Sequence, residues 1–213
     1  MRVILFGSTG MVGQGVLREC LLDPDVTEVL AVVRSASGRQ HPKLREIVHR
    51  DFTDFSALEL DADACFWCLG ISSVGMSEAD YTRVTYDFTM AAAKVLVRPT
   101  MTFVFVSGGG TQGKAMWARV KRKAEDALFA MPFKAVYVFR PGLIQPRHGI
   151  RSRTRLYNVI YPLIYPLILL ARLIAPGSIT DTERVGRAML RIAKKGFPKK
   201  ILENRDINAA AAG

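Results

Sequence analysis

The sequence has few cysteines, few histidines and no long uninterrupted apolar run near its start. Three cysteines in 213 residues are too few for a disulfide framework, and with three scattered histidines we expect no metal site. Glycines interrupt the apolar run that follows Arg2, so the sequence predicts no signal peptide. We therefore expect reduced cysteines and a cytoplasmic location.

The first apolar run, residues 3–6, stops abruptly at a glycine-rich turn. Gly7, Gly10 and Gly13 follow it, and a helical pattern begins directly afterwards. A strand, a tight turn and a helix in this order present backbone N–H groups and a helix N-terminus to a phosphate. A side chain at Gly13 would push the helix off the sheet. The segment predicts a dinucleotide site whose pyrophosphate is surrounded by Gly7, Ser8, Thr9, Gly10, Met11 and Val12.

Apolar runs and helical patterns alternate along the chain, which is typical of a parallel sheet covered on both faces. The predicted strands are 2–6, 28–33, 46–49, 64–69, 101–107 and 134–140, and the predicted helices are 11–22, 78–97, 115–130, 155–174 and 182–195. We therefore predict an α/β fold, a Rossmann-like doubly wound parallel sheet with a small helical C-terminal lobe. Residues 1–145 form the NAD(P)-binding domain in this prediction, and residues 146–213 form a substrate or lid lobe that is not an independent domain.

The residue that ends the second strand selects the cofactor. An acidic residue there binds both ribose hydroxyls and repels a 2′-phosphate, but this strand ends in Arg34. A guanidinium pairs with a 2′-phosphate, so we predict NADP in preference to NAD. Asp51 and Phe52, after the third strand, are expected to border the adenine. Residues that follow the fourth strand are expected where the backbone approaches the cofactor closely: Leu69, Gly70 and Ile71.

Several motifs together resemble the atypical short-chain dehydrogenases/reductases. They are Gly7-x-x-Gly10-x-x-Gly13, Arg34, Asp51, Cys68-Leu69-Gly70, Lys121 and Arg140-Pro141-Gly142. The chain is most similar to the Tat-interacting-protein (CC3) branch and to bacterial proteins described as NAD-dependent epimerase or NAD(P)H-binding. The resemblance covers residues 1–145 well and the remainder loosely.

The resemblance implies a catalytic Tyr four residues before a Lys, with a Ser or Thr after the fifth strand. The phenol exchanges the proton, the Lys lowers the phenol pKa and holds the cofactor, and the hydroxyl orients a carbonyl. Here Lys121 is present, Ser107 is the serine with Thr111 as a stand-in, and Trp117 occupies the Tyr position. An indole N–H does not exchange a proton near neutral pH. The segment expected to border the nicotinamide is Pro141, Gly142 and Leu143.

Three interpretations of the missing Tyr remain open. In the first, another group brought in by folding substitutes for it, with the candidates Tyr81, Tyr86, Tyr157 and His148. In the second, the protein binds the cofactor without redox chemistry. In the third, the substrate or water supplies the proton. Trp117 as a plain packing residue is a further alternative.

The positive charge is concentrated in the last third of the chain. The net charge is +11, and residues 140–213 hold 14 basic and 4 acidic side chains. Such asymmetry indicates a phosphate-bearing ligand, an anionic membrane surface, nucleic acid or an ordinary basic surface. Nucleic acid is not expected, because no recognised nucleic-acid module is present.

The apolar stretch 156–174 is a poor membrane span because Pro162, Pro166 and Arg172 interrupt it. A pocket lid, a dimer face, contact with an anionic membrane surface and ordinary core packing remain open for the basic and apolar region 147–175. In the helix 182–195, basic residues at every third or fourth position form a solvated stripe. The terminal alanines, 209–212, are expected to fray.

The leading functional hypothesis is an NADP(H)-binding oxidoreductase or epimerase-like enzyme of the short-chain dehydrogenase/reductase type. Its substrate would be a small, fairly apolar carbonyl or hydroxyl compound. The rival hypothesis is a non-catalytic NADP-binding regulatory or interaction protein. A homodimer is compatible with both.

Overall fold

A computed structural model describes residues 1–150, 177 and 179–213. The strands in this part of the chain are β1 (Arg2–Phe6), β2 (Glu28–Val33), β3 (Leu44–Val48), β4 (Ala64–Trp67), β5 (Thr102–Val106), β6 (Ala135–Arg140), β7 (Leu143–Gln145), β8 (Ile179–Asp181) and β9 (Ile201–Glu203). Seven of them form one parallel sheet in the order β3-β2-β1-β4-β5-β6-β9. The other two, β7 and β8, pair with each other in parallel. The predicted helix 155–174 and Tyr157 lie outside the described residues.

Helices cover both faces of the large sheet. They are α1 (Met11–Leu22), α2 (Glu78–Thr82), α3 (Phe88–Leu96), α4 (Met116–Phe129), α5 (Thr182–Lys195) and α6 (Asn204–Ala212). A π-helical turn, Arg83–Asp87, joins α2 to α3, so the single helix predicted over 78–97 contains a local widening. Among the described helices, none combines the length and the apolar composition that a membrane crossing requires.

The central strands are buried on both sides, which explains their nearly continuous apolar sequences. In β1, Val3 and Leu5 face one core cluster together with residues of α1, α5 and α6. Ile4 and Phe6 face a second cluster that includes residues of α3 and α4. Alternate side chains of one strand therefore serve two separate hydrophobic layers.

The strand order reverses at β1, because β2 pairs with one side of it and β4 with the other. Ligands of open α/β sheets bind in the crevice at the carboxyl ends of the strands beside such a reversal. Here the crevice lies between the loop after β1 and the loop after β4. The predicted Rossmann-like doubly wound sheet is confirmed.

The described part of the C-terminal segment, residues 179–213, packs directly onto the N-terminal half of the chain. Helix α5 lies so close to α1 that a Cβ on Gly15 would be 2.5 Å from the Cβ of Thr182, and one on Gly186 would be 2.7 Å from the Cγ of Glu19. Strand β9, which the sequence did not predict, extends the main sheet by pairing with β6. The predicted fraying of residues 209–212 is wrong, because α6 buries Ala210 against the core.

Candidate functional site

The loop between β1 and α1 is held by close backbone packing. Gly7 has a φ of +76°, and a Cβ there would lie 2.6 Å from the carbonyl carbon and oxygen of Cys68. A Cβ on Gly13 would lie 2.0 Å from the Gly7 carbonyl oxygen. Both positions therefore require glycine. At Gly10 the nearest protein atom would be 3.4 Å away, so this position leaves space for a ligand beside the backbone.

The N-terminus of α1 faces this space without a protein partner. No side chain among the described residues caps the helix, and its first turn, which begins at Met11 and Val12, contains no acidic residue. The Gly10 amide donates to the Gly7 carbonyl at 2.9 Å, and the Gln14 side-chain amide donates to the Thr9 carbonyl at 3.0 Å. Together with the buried Ser8, these contacts fix a loop that presents a positive helix end, which fits a diphosphate.

A cavity of about 420 Å³ continues from this loop toward the end of β2. Its lining residues are Ser8, Thr9, Gln14, Leu17, Ser37, Gly38, Arg39 and Glu46. Glu46 of β3 fixes the far wall, because it accepts hydrogen bonds from the Ser37 amide at 2.8 Å and from the Ser37 hydroxyl at 2.5 Å.

Two guanidinium groups belong to the loop that forms this wall. Arg34 and Arg39 are exposed, and neither side chain forms an ion pair within the described residues. The cavity therefore extends from an uncapped helix end to a loop that carries two uncompensated positive charges. A dinucleotide with a diphosphate bridge between its two nucleosides and a further phosphate on the adenosine ribose matches this charge pattern.

The side chains expected at the adenine make contacts within the protein. The Asp51 carboxylate accepts hydrogen bonds from the Thr53 hydroxyl and amide, and these bonds hold the Asp51 pKa below its ordinary value. Phe52 is buried, with its ring centroid 5.5 Å from that of Phe55 and 6.4 Å from that of Phe6. The Phe52 side chain is therefore not available to a ligand, whereas Asp51 is exposed and uses only Oδ1 in these bonds.

The segment after β4 forms the opposite side of the crevice. Cys68 donates its backbone N–H to the Phe6 carbonyl at 3.0 Å, which ties this segment to the end of β1. Leu69 is half-buried, and Gly70 has open space around it. Ile71 is 40% exposed. An apolar side chain thus stands at the mouth of the crevice.

The end of β5 contains a buried charged network. The Ser107 hydroxyl donates to the Glu125 carboxylate at 2.5 Å. Glu125 also forms an ion pair with Arg140 at the end of β6, whose Nε lies 3.1 Å from Oε2. All three side chains are buried. The Ser107 hydroxyl proton is therefore directed into the protein rather than toward a substrate carbonyl.

Lys121 lies directly beside this network. Its ammonium donates to the Ser107 carbonyl oxygen at 2.5 Å, and a Cβ on Gly108 would be 3.4 Å from its Nζ. Desolvation by burial lowers the Lys121 pKa to about 8, and the Glu125 carboxylate opposes that shift. Because an ammonium has three N–H donors and the described contacts use one, two donors are free.

Trp117 precedes Lys121 by one helical turn on α4, as the resemblance to the dehydrogenases implies for the Tyr. Its ring edge would lie 3.5 Å from a Cβ placed on Gly110, so the indole packs along the glycine-rich loop 107–113. The nearby Thr111 is fully buried, and its hydroxyl has no hydrogen-bond partner among the described residues. This loop therefore contains a buried hydroxyl whose hydrogen bonds are unmet.

The segment after β6 closes the same edge of the sheet. The Pro141 carbonyl accepts a hydrogen bond from the Gly109 amide at 2.7 Å, and the Gly142 amide donates to Asn204 Oδ1 at 3.1 Å. Leu143 then begins β7 and is half-buried. These contacts hold the segment between the loop after β5 and the start of α6.

The described substitutes for the missing Tyr make contacts of their own. Tyr81 is 2% exposed, and burial raises its pKa. The Tyr86 ring lies 4.1 Å from the Lys123 ammonium. His148 Nε2 lies 2.6 Å from a Glu183 oxygen, in the region between β7 and α5. Within the described residues, Lys121 and Arg122 both lie against the glycine-rich loop, since the Arg122 guanidinium donates to the Thr111 carbonyl at 2.7 Å. Of the two, Lys121 is the one whose side chain can lose a proton.

Sequence reasoning missed Glu125, Ser37 with Glu46, and Asn204. Glu125 stands in a run of charged residues, Lys121–Asp126, that is typical of a solvated helix face. The available signal was its spacing, because Ala118, Glu125 and Leu128 lie on one face of α4, and that face is buried. Arg140, which the sequence offered only as part of a motif, is tied into a structural network through Glu125.

Solved structures with the same fold are short-chain dehydrogenases/reductases and epimerases. An oxidoreductase of the short-chain dehydrogenase/reductase family from Burkholderia thailandensis is 14% identical, with a TM-score of 0.71 over 100% of this chain and 93% of that one. A UDP-glucuronic acid 4-epimerase from Bacillus cereus, solved in complex with NAD, is 12% identical, with a TM-score of 0.67 over 95% of this chain and 76% of that one. These structures confirm the predicted fold.

Curated relatives share more sequence with the chain. The mitochondrial protein fmp52-2 of Aspergillus oryzae is 27% identical, and the alignment covers 95% of this chain and 93% of that protein. The mitochondrial protein fmp52 of Emericella nidulans is 29% identical over 72% of this chain and 70% of that protein. No protein-family model matches the chain. The predicted cytoplasmic location is contradicted, because these relatives are named as mitochondrial proteins.

Proposed function

We propose that the protein binds NADP(H) and acts as an oxidoreductase or epimerase-like enzyme on a small, fairly apolar carbonyl or hydroxyl compound. The uncapped N-terminus of α1, joined by one cavity to the loop of Arg34 and Arg39, is the observation that carries this proposal. The fold supports it, because three of the solved structures that share this fold were obtained with NAD bound.

The cofactor residues divide by the part of NADP(H) that each would hold. The loop Gly7 to Val12 would receive the diphosphate on backbone N–H groups. Arg34 would pair with the 2′-phosphate, with Arg39 beside it. The backbones of Asp51, Phe52, Leu69, Gly70 and Ile71 would border the adenine half and the middle of the cofactor, and those of Pro141, Gly142 and Leu143 would border the nicotinamide end.

The substrate would lie at the carboxyl ends of β4 and β5. Ile71 supplies an exposed apolar side chain there, and the half-buried Trp117 of α4 lies along the glycine-rich loop. An apolar wall of this kind suits a small, fairly apolar carbonyl compound. When bound, the reduced nicotinamide supplies a hydride to the carbonyl carbon.

A non-catalytic NADP-binding protein is the second candidate function. Trp117 at the Tyr position favours it, and so does the engagement of the Ser107 hydroxyl by Glu125. Two members of the usual catalytic set are therefore not available in their usual roles. Cofactor binding is common to both candidates, and turnover separates them.

The test follows NADPH absorbance with benzaldehyde, cyclohexanone and menadione, for the natural protein and for Trp117→Tyr. We expect NADPH consumption by the natural protein with at least one of these compounds. Tight NADPH binding without turnover in the natural protein, together with turnover in Trp117→Tyr, would instead establish the non-catalytic candidate. No NADPH binding by either protein would contradict both.

A homodimer and contact with an anionic membrane surface stay proposals without a described interface. The basic residues that prompted the membrane proposal lie mainly at 147–155, largely outside the described residues. Sedimentation in solution and flotation with anionic vesicles would test the two proposals separately.

A further inference from the structure

The proton donor of the proposed reaction is the one part of the site that neither the resemblance nor the proposed function assigns. Trp117 has no exchangeable proton near neutral pH, and Tyr81, Tyr86 and His148 make contacts elsewhere. The Ser107 hydroxyl donates to Glu125. Among the described side chains, a group that gives a proton to the substrate must therefore come from another position on this edge of the sheet.

Lys121 meets the geometric requirement. Its Nζ lies against the glycine-rich loop, within 2.5 Å of the Ser107 carbonyl oxygen and close to Gly108. One N–H is used by that carbonyl and two donors remain. The residue as a whole is half-buried.

The surroundings of Lys121 favour proton exchange as well. The charges of the network beside it are Glu125, one turn later on α4, and Arg140 of β6, which pairs with Glu125. Desolvation by burial outweighs the attraction of the Glu125 carboxylate, and the Lys121 pKa falls to about 8. A general acid works best with a pKa near the operating pH.

We infer that the Lys121 ammonium itself, and not a residue at the Trp117 position, gives the proton to the substrate oxygen during reduction and removes it during oxidation. This inference rests on the proposed function. In reduction, one N–H bond of Nζ breaks and an O–H bond forms at the former carbonyl oxygen, while the reduced nicotinamide provides the hydride on carbon. Lys121 is left neutral and regains its proton from water.

The decisive variant is Lys121→Arg. Arginine keeps a positive charge and a donor for the Ser107 carbonyl, so a purely structural or charge-holding role survives the change. It does not release a proton near neutral pH. We expect kcat for the NADPH-dependent reduction of the panel compound that the natural protein consumes to fall by about 100-fold or more. NADPH affinity should stay within about threefold.

The matched control is Lys123→Arg, which makes the same change two residues further along α4. Lys123 is exposed and contacts the Tyr86 ring, so turnover and NADPH affinity should be unchanged. Retention of more than a tenth of kcat by Lys121→Arg would overturn the inference and leave the proposed function standing. No turnover by the natural protein, with NADPH still bound, would overturn both the inference and the catalytic proposal.

A second readout is independent of activity. Nuclear magnetic resonance of protein with isotope-labelled lysine Cε follows the titration of each lysine. The Lys121 signal is identified as the one that is lost in Lys121→Arg, and its titration is then measured in the natural protein. We expect a midpoint near the value of about 8 set by burial. A midpoint at the ordinary lysine value would overturn the inference.

The direction in which the rate changes with pH should differ between reduction and oxidation. For reduction the protonated ammonium is the active form, so kcat/KM should be constant below the Lys121 pKa and fall about tenfold per pH unit above it. In the oxidation direction the neutral amine is active, and the rate should rise with pH through the same range. A reduction profile in Lys121→Arg with the same falling limb as in the natural protein would contradict the inference.

Discussion

The two ends of the crevice are built in different ways. The loop after β1 is shaped by its backbone, because Gly7 and Gly13 pack against neighbouring carbonyl groups and the start of α1 has no side-chain cap. The end of β5 is shaped by side chains, because Ser107, Glu125 and Arg140 bind one another. The first end keeps the features that binding needs, whereas the second departs from the usual catalytic set.

In the proposed function, cofactor binding and chemistry are therefore separable. A backbone loop presents its N–H groups whatever the distant side chains are, so phosphate binding there would not depend on Trp117. A catalytic side chain acts only if its proton points outward. Variants at the two ends should therefore have different effects.

The largest expected effect comes from Gly13→Ala. A Cβ there would lie 2.0 Å from the Gly7 carbonyl oxygen, so either the loop or α1 must move. We expect the free energy of unfolding, measured in urea, to fall by about 3 kcal/mol. The variant should also lose NADPH binding.

Gly10→Ala is the control for that change. Its Cβ would make an ordinary contact at 3.4 Å, so stability should change by less than about 1 kcal/mol. NADPH affinity should nevertheless fall about tenfold or more, because the methyl group occupies the ligand's space. Equal stability losses in the two variants would show that the close approach at Gly13 has no special role.

The next effect concerns cofactor choice. Arg34→Asp replaces an unpaired guanidinium with a carboxylate, which repels a 2′-phosphate and accepts bonds from ribose hydroxyls. We expect NADPH affinity to fall by about 10- to 100-fold, which corresponds to one or two charge-assisted hydrogen bonds. NADH affinity should hold or rise, and calorimetric titration measures both.

Arg45→Asp makes the same charge change on β3. Arg45 is exposed and next to Glu46, so strand alternation directs it away from the cavity that Glu46 lines. Arg45→Asp should therefore change NADPH affinity only slightly. Similar losses for NADPH and NADH in Arg34→Asp would contradict the assignment of the 2′-phosphate to this loop.

The smallest expected effect is on stability, and it distinguishes the two hydroxyl groups of the glycine-rich loop 107–113. Ser107→Ala removes a donor from the buried Glu125 carboxylate, so urea unfolding should show a loss of about 1–2 kcal/mol. Thr111→Val removes a hydroxyl that has no partner among the described residues, and stability should be unchanged or higher. A larger loss in Thr111→Val than in Ser107→Ala would mean that the hydrogen bonds of the two groups are assigned incorrectly.

The sequence predicted the parts of the molecule that depend on local periodicity. The doubly buried strands, the glycine turn and the helix after it all follow from residues close together in the chain. Strand β9 did not, because its three residues are too few to show a pattern, and its pairing with β6 is decided by the fold. The partners of Ser107 and Arg140 were hidden because Glu125 lies among charged neighbours that are exposed.

Both candidate functions require that the loop after β1 receives the diphosphate of NADP(H). Calorimetric titration of the folded natural protein with NADPH, and separately with NADH, is the direct test of this requirement. One NADPH should bind per chain, and NADPH should be held more tightly than NADH. The absence of heat with both nucleotides, in protein shown by circular dichroism to be folded, would contradict it.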